Sequence, residues 1–142
     1  LNKRSLPIFG EGKNIRDWLH VEDHVRALYL IMMRGKPGET YNIGGNSERS
    51  NLEVVHQICD VLEELVPSQD RPYEELIHFV EDRPGHDYRY AIDSTKLCDE
   101  MGWRPLETFD TGLEKTVLWY LNNNEWCESA NKQYNQERLG LI

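Results

Sequence analysis

Two stretches of this sequence concentrate side chains able to work on an anion. The first is Asn14-Ile15-Arg16-Asp17-Trp18, where one guanidinium sits between apolar residues after a glycine-rich loop. An arginine there can grip phosphate oxygens at two points in a way lysine cannot; it can equally pair with Asp17 at the surface. The second is Asp82-Arg83-Pro84-Gly85-His86-Asp87, which crowds two acids, one base and one histidine around a rigid turn. It reads either as part of a binding site or as a solvated loop. Phe9 offers a flat apolar face on which a nucleotide base can rest, or else a core residue of a strand.

Other chemistries lack their parts. A dinucleotide fold wants a glycine fingerprint between strand and helix so that backbone can approach the pyrophosphate. Gly10-Glu11-Gly12 is the nearest approach, with Ile15 where the third glycine belongs. No tyrosine is followed four residues later by lysine, and neither GxSxG nor HExxH occurs. His20 and His24, flanked by Glu22 and Asp23, stand one helical turn apart as zinc ligands do. His20 precedes the expected helix cap, however, so no metal and no catalytic residue are assigned to this chain.

The elements that must position these residues follow from pattern. Residues 1–20 are Gly-punctuated and apolar in patches, suiting a turn-rich strand pair over a surface. From Asp23, placed to cap, Val25, Leu28, Tyr29, Ile31 and Met32 recur at helical spacing until Gly35 and Pro37. Thr40 to Ile43 reads as a short buried strand ending at Gly44-Gly45. Ser50-Asn51-Leu52-Glu53 is a capping box, and the stripe Val54, Val55, Ile58, Val61, Leu62, Leu65 carries a second helix to Pro67. A strand over 76–80 precedes the 81–90 loop. Asp93 can cap a short helix closed by Gly102, with Pro105 beyond it. Thr111 to Glu114 opens a fourth helix, with the stripe Leu113, Val117, Tyr120, Leu121, and Asn122-Asn123-Asn124 ends it in a turn before a polar tail read as a loop or docked arm. The fold class expected is a small mixed α/β lobe of about four helices with short strands.

Composition narrows the partners. The 142 residues, 39% hydrophobic, leave room for one core. Sixteen basic against twenty-five acidic residues give a formal net charge of -9. This excludes a broad electrostatic grip on nucleic acid or anionic lipid, so an anionic ligand must be held by a few placed arginines. Residues 67–142 hold eight bases and fifteen acids, against eight and ten in residues 1–66, so most of the excess lies in the C-terminal half. Cys59, Cys98 and Cys127 are an odd number at wide spacing, which favours reduced thiols and a cytoplasmic setting. No apolar run approaches a membrane span, and the opening LNKRSLPIFGEGKN reads as the middle of a longer chain.

Together, Leu6-Pro7-Ile8-Phe9-Gly10, Ile15 to His24 (IRDWLHVEDH), Thr40 to Gly45 (TYNIGG), Asp82 to Asp87 (DRPGHD), Gly102-Trp103-Arg104-Pro105 and the closing YNQERLG from Tyr134 resemble the C-terminal part of the dTDP-glucose 4,6-dehydratase family. That family lies within the nucleotide-sugar enzymes of the extended short-chain dehydrogenase/reductases. The Arg-Asp-Trp and Asn-Ile-Gly-Gly elements are common to that wider class; the Arg-Pro-Gly-His-Asp run and the Glu-Arg-Leu-Gly ending favour the dTDP-glucose members. The resemblance implies that residues 1–142 are a C-terminal nucleotide-sugar-binding domain, part of a Rossmann-type enzyme. The N-terminal NAD-binding domain, with its Tyr-x-x-x-Lys pair and acidic residues for water elimination, would lie outside this chain. The chemistry the resemblance implies for the whole enzyme is that bound NAD would oxidise the sugar at C4, water would leave across C5 and C6, and hydride would return to C6, on the route to deoxysugars such as dTDP-rhamnose.

The same resemblance implies that Pro7, Ile8 and Phe9 line the thymine pocket, with Phe9 replacing the family's tyrosine and losing its hydroxyl. Arg16 would face the diphosphate, Asn51 would touch the nucleotide, Asp82, Arg83, Pro84, Gly85 and His86 would complete the contacts, and Tyr134 would approach late in the chain. Further expectations are a homodimeric whole enzyme, an inactive 142-residue piece without NAD of its own, and an apolar face prone to association where the N-terminal domain is lacking. The competing expectations are a nucleotide-sugar epimerase or decarboxylase, and a stand-alone nucleotide-sugar-binding module.

Overall fold

The computed structural model describes residues 4–133. Strands β1 (Leu6–Phe9) and β2 (Ile15–Asp17) lead into helix α1 (Val21–Arg34); β3 (Glu48–Ser50) runs directly into α2 (Asn51–Leu65). A 3₁₀ turn (Tyr73–Leu76) delivers β4 (Ile77–Val80), and α3 (Thr95–Met101), α4 (Phe109–Asn122) and α5 (Asn124–Gln133) complete the order. The expected mixed α/β architecture is therefore present, with five helices among the described residues rather than about four.

The two N-terminal strands exist but do not pair with each other. β1 lies parallel to β4, Leu6 opposite Ile77 and Phe9 opposite Val80, while β2 lies antiparallel to β3, Ile15 opposite Ser50 and Asp17 opposite Glu48. The loop between β1 and β2 turns through Gly10 and Gly12, and its carbonyls meet α2: Leu52 N–H donates to Gly12 O (3.0 Å) and Asn51 N–H to Asn14 O (3.0 Å). Backbone demand from the start of α2 thus helps to set that loop.

Helix α2 begins where its capping box predicts. Ser50 Oγ accepts from Glu53 N–H (3.2 Å), and Glu53 Oε2 accepts from Ser50 N–H (2.7 Å). Its stripe packs against α4 and the 3₁₀ turn, burying Val54, Cys59, Leu76 and Val117. A second core gathers Ala27, Leu97, Met101 and Trp103, with Leu30, Ile31, Tyr41 and Ile43 packed around it. The three cysteines are free thiols, and burial pushes that of Cys59 up.

Four expectations need correction. Helix α1 starts at Val21, and Asp23 does not cap it; Asp23 is buried and accepts from Leu106 N–H and Glu107 N–H, both at 3.0 Å, while pairing with Arg26 (3.1 Å). Its carboxylate thus ties α1 to the segment ahead of α4. Thr40 to Ile43 is irregular, not a strand, because its apolar side chains meet the second core without a strand partner. Helix α4 starts at Phe109: the reciprocal cap is Thr108 with Thr111, one turn earlier than expected. The polar tail contains α5, held to α4 by edge-on contacts of Trp126 with Trp119 (5.1 Å) and Tyr120 (6.5 Å). Of the asparagine run expected as a turn, only Asn123 lies outside helix, ending α4 with its Nδ2 donating to Trp119 O (2.7 Å) before α5 starts at Asn124.

One face of α1 remains open. Val21, Val25, Leu28, Tyr29, Met32 and Met33, spaced as a single helical stripe opposite Ala27, are 50 to 72% exposed.

Candidate functional site

The site is built by two strand pairings that bring distant segments together. Because β1 and β4 are parallel, their C-terminal ends lie side by side, with Gly10 N–H donating to Val80 O (2.9 Å). This seats Phe9 beside the segment that follows β4. That segment turns at once: His86 N–H donates to Arg83 O (3.2 Å) and Gly85 sits at φ +67, a Pro-Gly turn of the type that needs a left-handed residue in its third place. The segment is caught again at its far end by β2, since Ile15 N–H donates to Tyr88 O (2.7 Å) and Tyr90 N–H to Ile15 O (3.0 Å).

Arg16 therefore faces the turn. Its Nη2 lies 3.2 Å from His86 Nε2 and donates to Asp87 O (3.1 Å), its Nη1 donates to Ile15 O (2.6 Å), and its guanidinium stacks on the Tyr90 ring at 4.4 Å. The Arg83 guanidinium lies over the Phe9 ring at 5.4 Å. Behind them, Asp82 Oδ1 is 2.7 Å from His86 Nδ1 and accepts from Arg83 N–H (2.8 Å). The bond to His86, followed by that from Arg83 N–H, holds the Asp82 carboxyl below its ordinary value. Tyr90 hydrogen-bonds Asp87, which pushes its hydroxyl up.

Of the sequence-derived residues, the structure thus brings together Phe9, Arg16, Asp82, Arg83 and His86, with Pro84 and Gly85 forming the turn between them. Pro7 is exposed on the Phe9 side of the strand, whereas Ile8 is buried and its side chain packs inward. Asn51 is the first residue of α2, next to Ser50, and lines a cavity of about 1330 Å³ among Trp18, Arg49, Phe109, Trp119 and Trp126. The amides of Asn51, Leu52 and Glu53 already donate to Asn14, Gly12 and Ser50, so any anion contact from Asn51 falls to its side chain. Tyr134 lies outside the described residues.

Sequence reasoning missed Tyr90 and the Asp87 carbonyl as supports of Arg16. Tyr90 stands apart from both motifs, and only the pairing of residues 88–90 with Ile15 reveals it.

The neighbours of Arg16 serve the scaffold. Asp17 does not pair with Arg16: its Oδ2 accepts from Gly45 N–H (2.9 Å) and Asn46 N–H (3.3 Å), and its Oδ1 from Ser47 N–H (2.7 Å). The two glycines allow this wrap. A Cβ on Gly44 would stand 2.6 Å from Asp17 Oδ2, and one on Gly45 2.2 Å from Trp18 O. Trp18 meets Phe109 edge-on at 6.4 Å. His20 precedes α1 without a side-chain cap bond and His24 is exposed in its first turn; among the described residues no three metal-binding side chains are grouped.

The Gly10-Glu11-Gly12 loop does not fit a dinucleotide. Gly10 and Gly12 lead into a strand rather than a helix, and a Cβ on Gly12 would stand 2.8 Å from Ile8 Cγ2 and 2.9 Å from Leu52 Cβ, so this glycine admits α2, not a pyrophosphate. What the arrangement can do is present two guanidiniums, one of them braced by an imidazole, to an anion beside an aromatic face.

A family profile described as GDP-mannose 4,6 dehydratase matches residues 1–116. The dTDP-glucose 4,6-dehydratase of Escherichia coli is 55% identical over 141 residues, a match covering 96% of this chain and 39% of that protein. Among solved structures, the dTDP-glucose 4,6-dehydratase of Bacillus anthracis in complex with NAD superposes with a TM-score of 0.76 at 46% identity, over 87% of this chain and 36% of its own. That of Streptomyces venezuelae, with NAD and TYD bound, gives 0.77 at 38% identity over the same shares. The chain spans about two-fifths of the length of the curated relatives it matches.

Proposed function

The chain belongs to the GDP-mannose 4,6 dehydratase family, and we propose that it is the nucleotide-sugar-binding C-terminal domain, residues 1–142, of a dTDP-glucose 4,6-dehydratase. The whole protein would convert dTDP-glucose to its 4-keto-6-deoxy sugar and water. The observation that carries this reading is the contact of Arg16 with His86, 70 residues apart in sequence, beside an Arg83 stacked on Phe9. Two guanidiniums carried by one loop and the strand it is bridged to, one of them over an aromatic ring, match a ligand made of a base and a diphosphate.

In this reading the base rests against Pro7 and Phe9, the diphosphate lies between Arg16 and Arg83, and Asn51 and Tyr134 add contacts to the nucleotide. The domain supplies binding energy from the part of the substrate remote from the reacting sugar, which orients that sugar for groups outside this chain. In this reading NAD is held by the rest of the protein, an N-terminal Rossmann domain whose packing covers the open stripe of α1. The 142-residue piece alone is then inactive, and the whole enzyme is a cytoplasmic homodimer. The described residues contain no helix long and apolar enough to cross a membrane.

The test is the mass of dTDP-glucose after incubation with the full-length protein that carries this sequence, with UDP-glucose in parallel. Loss of one water from the dTDP sugar alone is expected. An unchanged mass, or equal conversion of both sugars, overturns the assignment in favour of an epimerase, a decarboxylase or a binding module.

A further inference from the structure

His86 sits between an acid and a base, and the chemistry of both fixes its proton. Arginine carries only donors, so at the 3.2 Å contact with Arg16 Nη2 the His86 Nε2 must present its lone pair. The ring proton then sits on Nδ1 and is donated to Asp82 Oδ1 at 2.7 Å. The His86 side chain is 5% exposed, so water offers the ring little alternative, whereas the Asp82 side chain is 43% exposed at the rim. Arg83 N–H donates to the same Oδ1, and a Cβ on Gly10 would stand 2.8 Å from Oδ2, so the carboxylate is held by its own loop and by the end of β1.

We propose that Asp82 is a positioning residue that acts through His86 on Arg16: by accepting the Nδ1 proton it fixes the tautomer whose Nε2 anchors the guanidinium, and it does not itself touch the ligand. This rests on the proposed diphosphate site, and it separates Asp82 from the residues around it that face the anion. The arrangement has an electrostatic logic. A carboxylate facing a diphosphate directly would repel it, whereas one placed behind a histidine lends order to the arginine while its charge is turned to Nδ1 and to Arg83 N–H. The other groups about the ring agree with this division. The Asp87 carbonyl takes the second contact of Arg16 Nη2, the Asp87 carboxylate is engaged by Tyr90, and the Arg83 guanidinium is turned to Phe9.

The experiment reads the tautomer directly. In full-length protein with ¹⁵N-labelled histidine, without nucleotide, long-range ¹⁵N–¹H correlations assigned with an H86A variant are expected to show His86 protonated at Nδ1. D82A should shift the ring toward the Nε2–H form, and D82N, whose side-chain carbonyl can still accept, should retain the original pattern. A loss of dTDP affinity of roughly tenfold is expected for D82A and for H86A alike, the size of one hydrogen bond to a charged group, and the double variant should bind no worse than H86A. A wild-type ring protonated at Nε2, a D82A spectrum like wild type, or a double variant whose loss is the product of the single losses overturns the proposal. If the tautomer responds as expected but wild-type protein does not bind dTDP, the relay stands and the nucleotide assignment of the site falls.

Discussion

Arg16 and Asp17 are neighbours in one motif, yet the structure gives them opposite work, and substitution should separate them. The perturbation is Asp17→Ala. Asp17 accepts three backbone N–H groups, from Gly45, Asn46 and Ser47 at 2.9, 3.3 and 2.7 Å. Each bond to a charged acceptor is worth about 1.5 to 3 kcal/mol, but three amides sharing one carboxylate do not add in full. Asp17 is half-buried, so water recovers part of the loss. A net destabilisation of about 3 to 4 kcal/mol follows, with Asp17→Asn losing less because it keeps one acceptor oxygen. Chemical denaturation of the purified protein, followed by tryptophan fluorescence, should show the midpoint falling in the order wild type, Asn, Ala. Below that midpoint D17A should bind dTDP within about twofold of wild type, because Asp17 points away from the Arg16 guanidinium. An unchanged denaturation midpoint together with a large loss of dTDP affinity would refute this division and place Asp17 on the ligand.

Arg16→Lys should shift the balance the other way: dTDP binding weakens roughly tenfold or more in titration calorimetry, since an ammonium cannot hold His86, two carbonyls and a phosphate edge at once, while the melting temperature falls less than in D17A. The 142-residue chain alone should self-associate in sedimentation through the α1 stripe. Leu28→Lys with Met32→Lys should return it to a monomer, whereas a monomeric, cooperatively melting wild-type chain would remove the argument that this face is normally covered. The depressed Asp82 carboxyl gives a pH sign. A group whose folded value lies below its ordinary 3.8 contributes stability in full above that value and loses it only as pH falls through the lower folded value. Amide exchange at Arg83, corrected for its intrinsic pH dependence, should therefore keep constant protection from pH 7 to 5; loss of protection already by pH 5 would contradict the bond.

Helices were legible where their signals are local. The Ser50 to Glu53 box and the stripe of α2 lie within one segment, so spacing alone locates the element. Asp23 misled because an acid ahead of an apolar run reads as a cap, whereas the amides it satisfies belong to Leu106 and Glu107, more than eighty residues away. Strand partners were illegible for the same reason: β1 meets β4 some seventy residues downstream, and nothing in four residues of Leu-Pro-Ile-Phe names that partner. The site residues Arg16, Arg83 and His86 could be picked out by type and neighbourhood, but their convergence could not, and Tyr90 was missed because its function is created by a pairing rather than by a motif.

That pairing also explains why an arginine-bearing loop can be ordered in so acidic a half of the chain. Residues 81–87 are fastened at both ends, upstream by β4 against β1 and downstream by residues 88–90 against Ile15. A span closed over so few residues has little conformational entropy left to lose, so a Pro-Gly turn and one Asp82–His86 bond suffice to set its shape. The acids that dominate this region are then partly spent inward: Asp82 on His86, Asp87 on Tyr90, and, across the strands, Glu48 on Arg89 through two contacts of 2.6 Å. Glu48 sits on β3 and Arg89 on the bridged segment 88–90, on either side of β2, so their bond clamps the segment that holds Arg16 from both sides. Breaking it with Glu48→Gln should loosen residues 88–90 and weaken dTDP binding by a few fold with no change in the ligand's own contacts. An effect as large as that of Arg16→Lys would instead mean that Arg89 reaches the anion itself.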